Sequence, residues 1–464
     1  MDEDCLALNV VRPAGSAGQK LPVAVWIHGG GYIMGGATDR RYNLSFIVQN
    51  SVDIGKPIIA VSIPYRLSAW GFIDSQEVRS AGITNIGMQD QRQALYWIQE
   101  NIAAFGGDPT KVTIWGESAG AGSVGIHLIA YGGRDDKLFS GAICESGNSI
   151  LLGSQNYNVS DGQAIYNNIT TAAGCSGSAD TLSCLRAAPF DRLNAAINIT
   201  RSYGFYPYQD STLIQGSQYD QLNNGNFIKV PLLSGANTDE GASFGPRGIN
   251  NDSAFATYLT NTGRTRPLNA STVAILQAVY PNLPAASDVL YSVPLDYQYN
   301  STYGFQFRRA VAFGGDLAFH AARRLQCQSW AMQNVSAYCY RFNAIPYPLP
   351  NLTGSVHFQE VAFVFNNLQG LGYAFNPFQG QPQSYVDLSS LMSRMWASFV
   401  HDGNPNGHGL QGYQQWPAYD VVSGGGVGYD YFFDANTTSR PEKDSWRAEG
   451  IAYLNTLWKT VYGR

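Results

Sequence analysis

Short apolar runs and stretches of helical spacing alternate along the first third of this chain. LALNVV, VAVWIH (23–28) and IIAVSIPY (58–65) are rich in Val, Ile and Ala and bounded by Gly and Pro, as buried strands are. Residues 88–104, MQDQRQALYWIQENIAA, carry apolar positions at Met88, Leu95, Trp97, Ile98 and Ile102, and this spacing predicts a helix. FGGDPT breaks it. VTIWGES (112–118) then predicts a strand ending at a turn, 119–130 a helix, and GAICES (141–146) the next strand. Strands alternating with helices predict a mainly parallel sheet with helices on both faces, an α/β fold.

Further on, 151–229 is looser and polar, with helix fragments. VPLLSGANTDE (230–240) predicts a buried strand ending in a polar loop. Residues 305–333 predict one long amphipathic helix, YCYRFN (338–343) a strand, and 442–459 a last helix. A length of 464 residues corresponds to about three average domains. No repeat or low-complexity linker divides the chain, however. The expectation is one domain over 1–464, with helical insertions at 151–229 and in parts of 245–335.

Composition refines this picture. The formal charge of −5 and the lack of a basic run argue against nucleic acid or anionic membranes as partners. The 28 Tyr and 22 Phe suit a large core and an apolar pocket. No run of about 18 apolar residues exists, so no integral membrane segment is expected. MDEDCLALNV lacks the basic start and apolar centre of a signal peptide. Against a cytoplasmic reading stand ten Asn-x-Ser/Thr sites, at Asn43, Asn158, Asn168, Asn198, Asn251, Asn269, Asn300, Asn334, Asn351 and Asn436. Cys175 and Cys184 flank a short polar loop that could close a small disulfide, and Cys327 and Cys339 are similarly close. Together these features predict a secreted protein whose leader is absent from this chain.

Gly116-Glu117-Ser118-Ala119-Gly120 fits G-x-S-x-G between an apolar strand and a helix, the context that a nucleophile elbow requires. A serine hydroxyl needs a base to become nucleophilic. The sharp turn lifts it above the sheet, and flanking glycines let backbone pass without Cβ clashes. Gly120-Ala121-Gly122-Ser123-Val124-Gly125 also matches the dinucleotide fingerprint G-x-G-x-x-G, with Glu145 about 20 residues on. That match starts inside the elbow and leaves Ser118 unexplained; small residues packing a helix onto a sheet explain it as well.

His28-Gly29-Gly30-Gly31-Tyr32 follows an early strand. Alone, three glycines fit a flexible turn. Beside a G-x-S-x-G elbow they fit an oxyanion loop, with the N–H groups of Gly30, Gly31 and Ala119 as donors. The order Ser…Asp/Glu…His then asks for an acid after a later strand and a histidine beyond it. Asp239 and Glu240 qualify equally on chemistry. His357, after YCYRFN and a Pro-rich loop, has five competitors. His127 and His320 sit in helix-like segments and read as packing residues, His401 and His408 as solvated turn residues, and His28 belongs to the glycine loop.

Taken together, EDCLALNV (3–10), WIHGGGYIMGG (26–36), NIAAFGGDPTKVTIWGESAGAGSVG (101–125), NTDEGASF (237–244) and GSVHFQEVAFVF (354–365) resemble the type-B carboxylesterase/lipase family, the cholinesterase-like esterases, and above all its fungal lipases and carboxylesterases. The resemblance runs along nearly the whole chain and implies an α/β-hydrolase fold. It implies Ser118 as nucleophile, Glu240 rather than Asp239 as acid, and His357 as base, with Glu360 completing H-x-x-Glu. It implies Gly30, Gly31 and Ala119 as oxyanion donors, Phe244 and Phe363 at the acyl pocket, and a Cys175–Cys184 disulfide. The implied partner is a small-molecule or lipid ester, with no metal and no cofactor.

The family pattern also has strands ahead of EDCL, with a cysteine that pairs with the one matching Cys5, an arginine that pairs with the acid matching Glu3, and the lipase lid. This chain is expected to lack that segment. Two alternatives to an active esterase follow from the resemblance: a non-catalytic adhesion or binding member, and an inactive truncated product.

Overall fold

The computed structural model describes residues 3–150, 159–199, 204–262, 267–423 and 425–463. Among them nine strands form one sheet: β1 (Asn9–Val11), β2 (Leu21–Ile27), β3 (Ile59–Ile63), β4 (Gly107–Glu117), β5 (Gly141–Glu145), β6 (Leu232–Asn237), β7 (Ala337–Phe342), β8 (Tyr429–Phe433) and β9 (Arg440–Lys443). Their order is β1-β3-β2-β4-β5-β6-β7-β8-β9. All pairings from β3 to β8 are parallel, while β1 and β9 add antiparallel edges. This is an α/β-hydrolase sheet.

Side chains alternate across each strand, so an internal strand feeds two cores. On β2, Val23, Val25 and Ile27 join one apolar cluster. Ala24 and Trp26 join the other, with Trp115, Ile143 and Leu233. Every residue of β2 is buried, which is why it reads as an unbroken apolar run rather than an alternating one.

Several elements differ from the sequence expectation. The helix expected over 305–333 has three parts, Phe307–Gly315, a π-helical turn Asp316–His320, and Ala321–Met332. The last helix spans Ala448–Thr460, and the start of its expected range is β9. His401 lies in the helix Gln383–Asp402, not in a loop. His408 is buried rather than solvated. Residues 159–229 hold the helices Val159–Ala172, Thr181–Ala187, Phe190–Ile199 and Gln218–Asn223, while 151–158 and 200–203 lie outside the described residues. Disulfides join Cys175 to Cys184 and Cys327 to Cys339; Cys5 and Cys144 are free thiols. Among the described residues no helix is long and apolar enough to cross a membrane.

The parallel strands converge with their carboxyl ends on one edge, where such sheets gather ligands. The glycine loop leaves β2 there, Ser118 follows β4, Ser146 follows β5, Glu240 follows β6, and the His357 loop follows β7.

Candidate active site

Ser118 sits between β4 and the helix Ala119–Gly133 at φ +55°, ψ −121°, a conformation that side-chain-bearing residues rarely adopt. Its surroundings enforce it. A Cβ on Gly116 would fall 2.4 Å from the Gly120 carbonyl carbon, and one on Gly120 would fall 1.9 Å from Ile27 O. The Ser118 N–H donates to Glu145 O at 2.8 Å, tying the elbow to β5. The same close packing explains the dinucleotide-like glycines. A Cβ on Gly125 would lie 2.4 Å from the Asn148 backbone. Glu145, the acid that this fingerprint asks for, is fully buried and accepts the indole N–H groups of Trp115 and Trp396, each at 2.5 Å.

Ser118, His357 and Glu240 meet although they lie far apart in sequence. His357 Nε2 is 2.8 Å from Ser118 Oγ, and Nδ1 is 2.7 Å from Glu240 Oε2. With the proton on Nδ1 donated to Glu240, Nε2 is left to accept from the serine. Glu240 is fully buried, and its other oxygen accepts from the Ser146 hydroxyl at 2.5 Å and the Asn237 N–H at 3.0 Å. Asp239 turns away: it accepts the N–H groups of Leu290 and Ser355 at 2.6 and 2.7 Å and so braces the loop leading to His357. Burial raises its pKa to about 6.

Two further carboxyl groups lie near the imidazole, Glu360 of the H-x-x-Glu pattern and Glu117, to which the sequence assigned no role. Glu117, the unspecified x of G-x-S-x-G, is buried with Oε1 3.2 Å from His357 Nε2. Glu360 is buried and accepts Asn237 Nδ2 at 2.6 Å. Burial is the largest influence on both acids, pushing Glu117 well above the carboxylate range and Glu360 to about 7. Burial also works against a charged His357, but Glu240 and Glu117 outweigh it and raise the imidazole to about 9.

The glycine loop lies against the serine, since a Cβ on Gly29 would fall 3.0 Å from Ser118 Cβ. Gly30 and Gly31 have φ of +103° and +64°. Among the described residues, no protein group accepts a hydrogen bond from the N–H groups of Gly30, Gly31 or Ala119.

Phe244 is 51% exposed, with its ring 4.8 Å from that of His357. Phe319, absent from the sequence reading, stacks on the imidazole at 5.0 Å and 25°. It lies in the π-helical turn, which changes the phase of side chains that a regular helix would present. Phe363 is a correction: it is fully buried, packed on Phe342 and Phe378 at 5.0 and 4.9 Å. The short helix Val361–Val364 turns it into the core instead of toward the cleft.

A mainly parallel sheet with Ser118, His357 and Glu240 in line at its strand ends, the acid buried and the serine and histidine partly exposed, defines a class, and comparison with known proteins gives the family. The carboxylesterase family model matches residues 1–432, so this chain belongs to the carboxylesterase family and is a carboxylic ester hydrolase. It is similar to Secreted lipase 1 of Botryotinia fuckeliana, 36% identical over 434 residues, covering 90% of this chain and 71% of the relative. Lipase 2 of Geotrichum candidum is 33% identical over 482 residues, covering 98% and 78%. Secreted triacylglycerol lipase LIP1 of Gibberella zeae is 32% identical over 434 residues, covering 90% and 69%. The crystal structure of Aspergillus niger EstA aligns with a TM-score of 0.83 at 28% identity, covering 99% of this chain and 85% of that one. Two of these relatives are named as secreted, and the two disulfides are consistent with an oxidising compartment.

Proposed function

We propose that this chain is a secreted serine esterase or lipase that cleaves carboxylic esters through an acyl-enzyme. The unbroken line Glu240–His357–Ser118 carries the reading. Ser118 Oγ attacks the ester carbonyl as its proton passes to His357 Nε2. Glu240 holds the proton on Nδ1 and stabilises the imidazolium that forms. The N–H groups of Gly30, Gly31 and Ala119 hold the oxyanion. His357 then protonates the departing alcohol. Water, deprotonated by His357, attacks the acyl-enzyme, and Ser118 recovers its proton.

The chain acts as one α/β-hydrolase domain with helical insertions at 151–229 and within 245–335. Phe244 and Phe319 form an aromatic wall beside the imidazole suited to an apolar acyl group. The substrate is a lipid or small-molecule ester. Secretion agrees with glycosylation of sites such as Asn251, Asn269, Asn300 and Asn436, all exposed; Asn158 lies outside the described residues. Hydrolysis of p-nitrophenyl esters of increasing chain length, compared with Ser118→Ala, tests the reading. The substitution should lower kcat by about 10⁶-fold. Full activity in Ser118→Ala would refute it.

A further inference from the structure

Phe358 follows His357 directly and has φ +76°. A bulky residue takes this left-handed conformation only under constraint, and such outliers gather at functional sites. Residues from the far side of the site meet the Phe358 ring. The Arg41 guanidinium lies 4.7 Å from the Phe358 ring centroid, and the Tyr42 ring meets it edge-on at 6.1 Å.

Arg41 is itself fixed. Its Nε donates to both oxygens of Asp39 at 3.1 and 3.0 Å, and Nη2 donates to Oδ2 at 2.6 Å. Asp39 also accepts the Arg41 backbone N–H at 2.9 Å, capping the turn Arg40–Tyr42. On another side the backbone at Gly372 presses in, since a Cβ there would fall 2.7 Å from Arg41 N and 2.9 Å from its Cγ. Residues 39–42 continue the chain from the glycine loop that begins at the end of β2. A core-filling phenylalanine would need neither the left-handed backbone nor a partly exposed ion pair over its ring.

From this geometry we infer that Phe358 is a positioning residue, clamped by the Asp39–Arg41 pair so that the turn carrying His357 is held to the segment carrying the oxyanion loop. The clamp fixes the direction of His357 Nε2 toward Ser118 and its register with the N–H groups of Gly30 and Gly31. Small displacements of a base cost rate steeply, and they do so in the chemical step rather than in binding. This inference rests on the Ser118–His357–Glu240 reading.

The test measures kcat and KM for p-nitrophenyl butyrate, with thermal unfolding, in wild type, Phe358→Gly, Phe358→Tyr, Arg41→Met, the double variant of Phe358→Gly with Arg41→Met, and Ser118→Ala. Glycine adopts φ +76° without strain, so Phe358→Gly keeps the backbone and loses only the clamp. Its kcat should fall about tenfold with KM within about twofold. Arg41→Met should do the same, and the double variant should fall no further than either single one. Phe358→Tyr retains the ring and should restore near wild-type kcat. Should Phe358→Gly fold poorly, Arg41→Met, which leaves the backbone of 358 untouched, decides alone. Wild-type kcat in Arg41→Met, or a change confined to KM, overturns the clamp while an inactive Ser118→Ala leaves the triad standing. An active Ser118→Ala overturns the triad itself.

Discussion

Glu117 Oε1 lies 3.2 Å from His357 Nε2, the same nitrogen that Ser118 Oγ meets at 2.8 Å. The residue before the serine thus contributes a second carboxylate to the base, opposite in position to Glu240 on Nδ1. When ionised, Glu117 adds to Glu240 in favouring the charged imidazole.

The proposed mechanism requires neutral His357, while the folded protein favours the charged form up to about pH 9, against an ordinary 6.5. The stabilisation from the charged imidazole is therefore complete below 6.5 and is lost as pH rises through about 9. Thermal stability should decline and kcat/KM should rise over that same window. Glu117→Gln removes one source of the upward shift and should move the acid limb of kcat/KM to lower pH. A pH–rate profile that superimposes on wild type would show that Glu117 carries no charge in the free enzyme.

Ser146 donates to the Glu240 oxygen that His357 does not use. A hydrogen bond to a charged group contributes about 1.5–3 kcal/mol. Ser146→Ala should lower kcat by roughly ten- to hundredfold with little change in KM. Steady-state kinetics on one p-nitrophenyl ester measures this, and an unchanged kcat would remove Ser146 from the support of Glu240.

The two glycines expected to donate to the oxyanion should differ sharply in tolerance. A Cβ at Gly30 would fall 2.1 Å from Met34 O, whereas at Gly31 its nearest neighbour is Ile33 Cγ1 at 3.9 Å. Gly30→Ala must shift the loop and should lower kcat by about 10²-fold or more. Gly31→Ala meets only the strain of its positive φ, about 1 kcal/mol, and should retain most activity. Equal losses in the two variants, measured alongside melting temperature, would contradict this account of the loop.

The family resemblance implies both Phe244 and Phe363 at the acyl pocket, and the fold separates them. Phe363→Ala should destabilise by about 3–5 kcal/mol in denaturant titrations while leaving acyl-chain preference unchanged. Phe244→Ala, at a half-exposed site beside His357, should scarcely alter stability and should change the ratio of kcat/KM between short and long p-nitrophenyl esters. Altered preference in Phe363→Ala would return that residue to the pocket.

The sequence by itself determined the parallel sheet, the elbow at Ser118, the glycine loop and the chain order in which Ser118, Glu240 and His357 follow their strands. Each is written locally, because a strand fully buried on both faces must be an apolar run, and a backbone that passes within 2 Å of where a Cβ would stand must be glycine. Through the family resemblance it also separated Glu240 from Asp239, which chemistry alone left equal.

Tertiary structure decided everything that depends on which face a side chain turns, and on what comes to cover it. The short strands β8 and β9 at the end of the sheet carry too little pattern to read in isolation, and the π-helical turn at 316–320 places Phe319 on His357 without a mark in the periodicity. His408 looks solvated until its neighbours bury it, and Phe363 looks like pocket until the short helix at 361–364 turns it inward. Glu117 meets His357, Ser146 meets Glu240 and Arg41 meets Phe358 across a few ångströms between segments far apart in the chain. Burial and charge proximity are properties of that assembled space, so no spacing in the sequence can encode them directly.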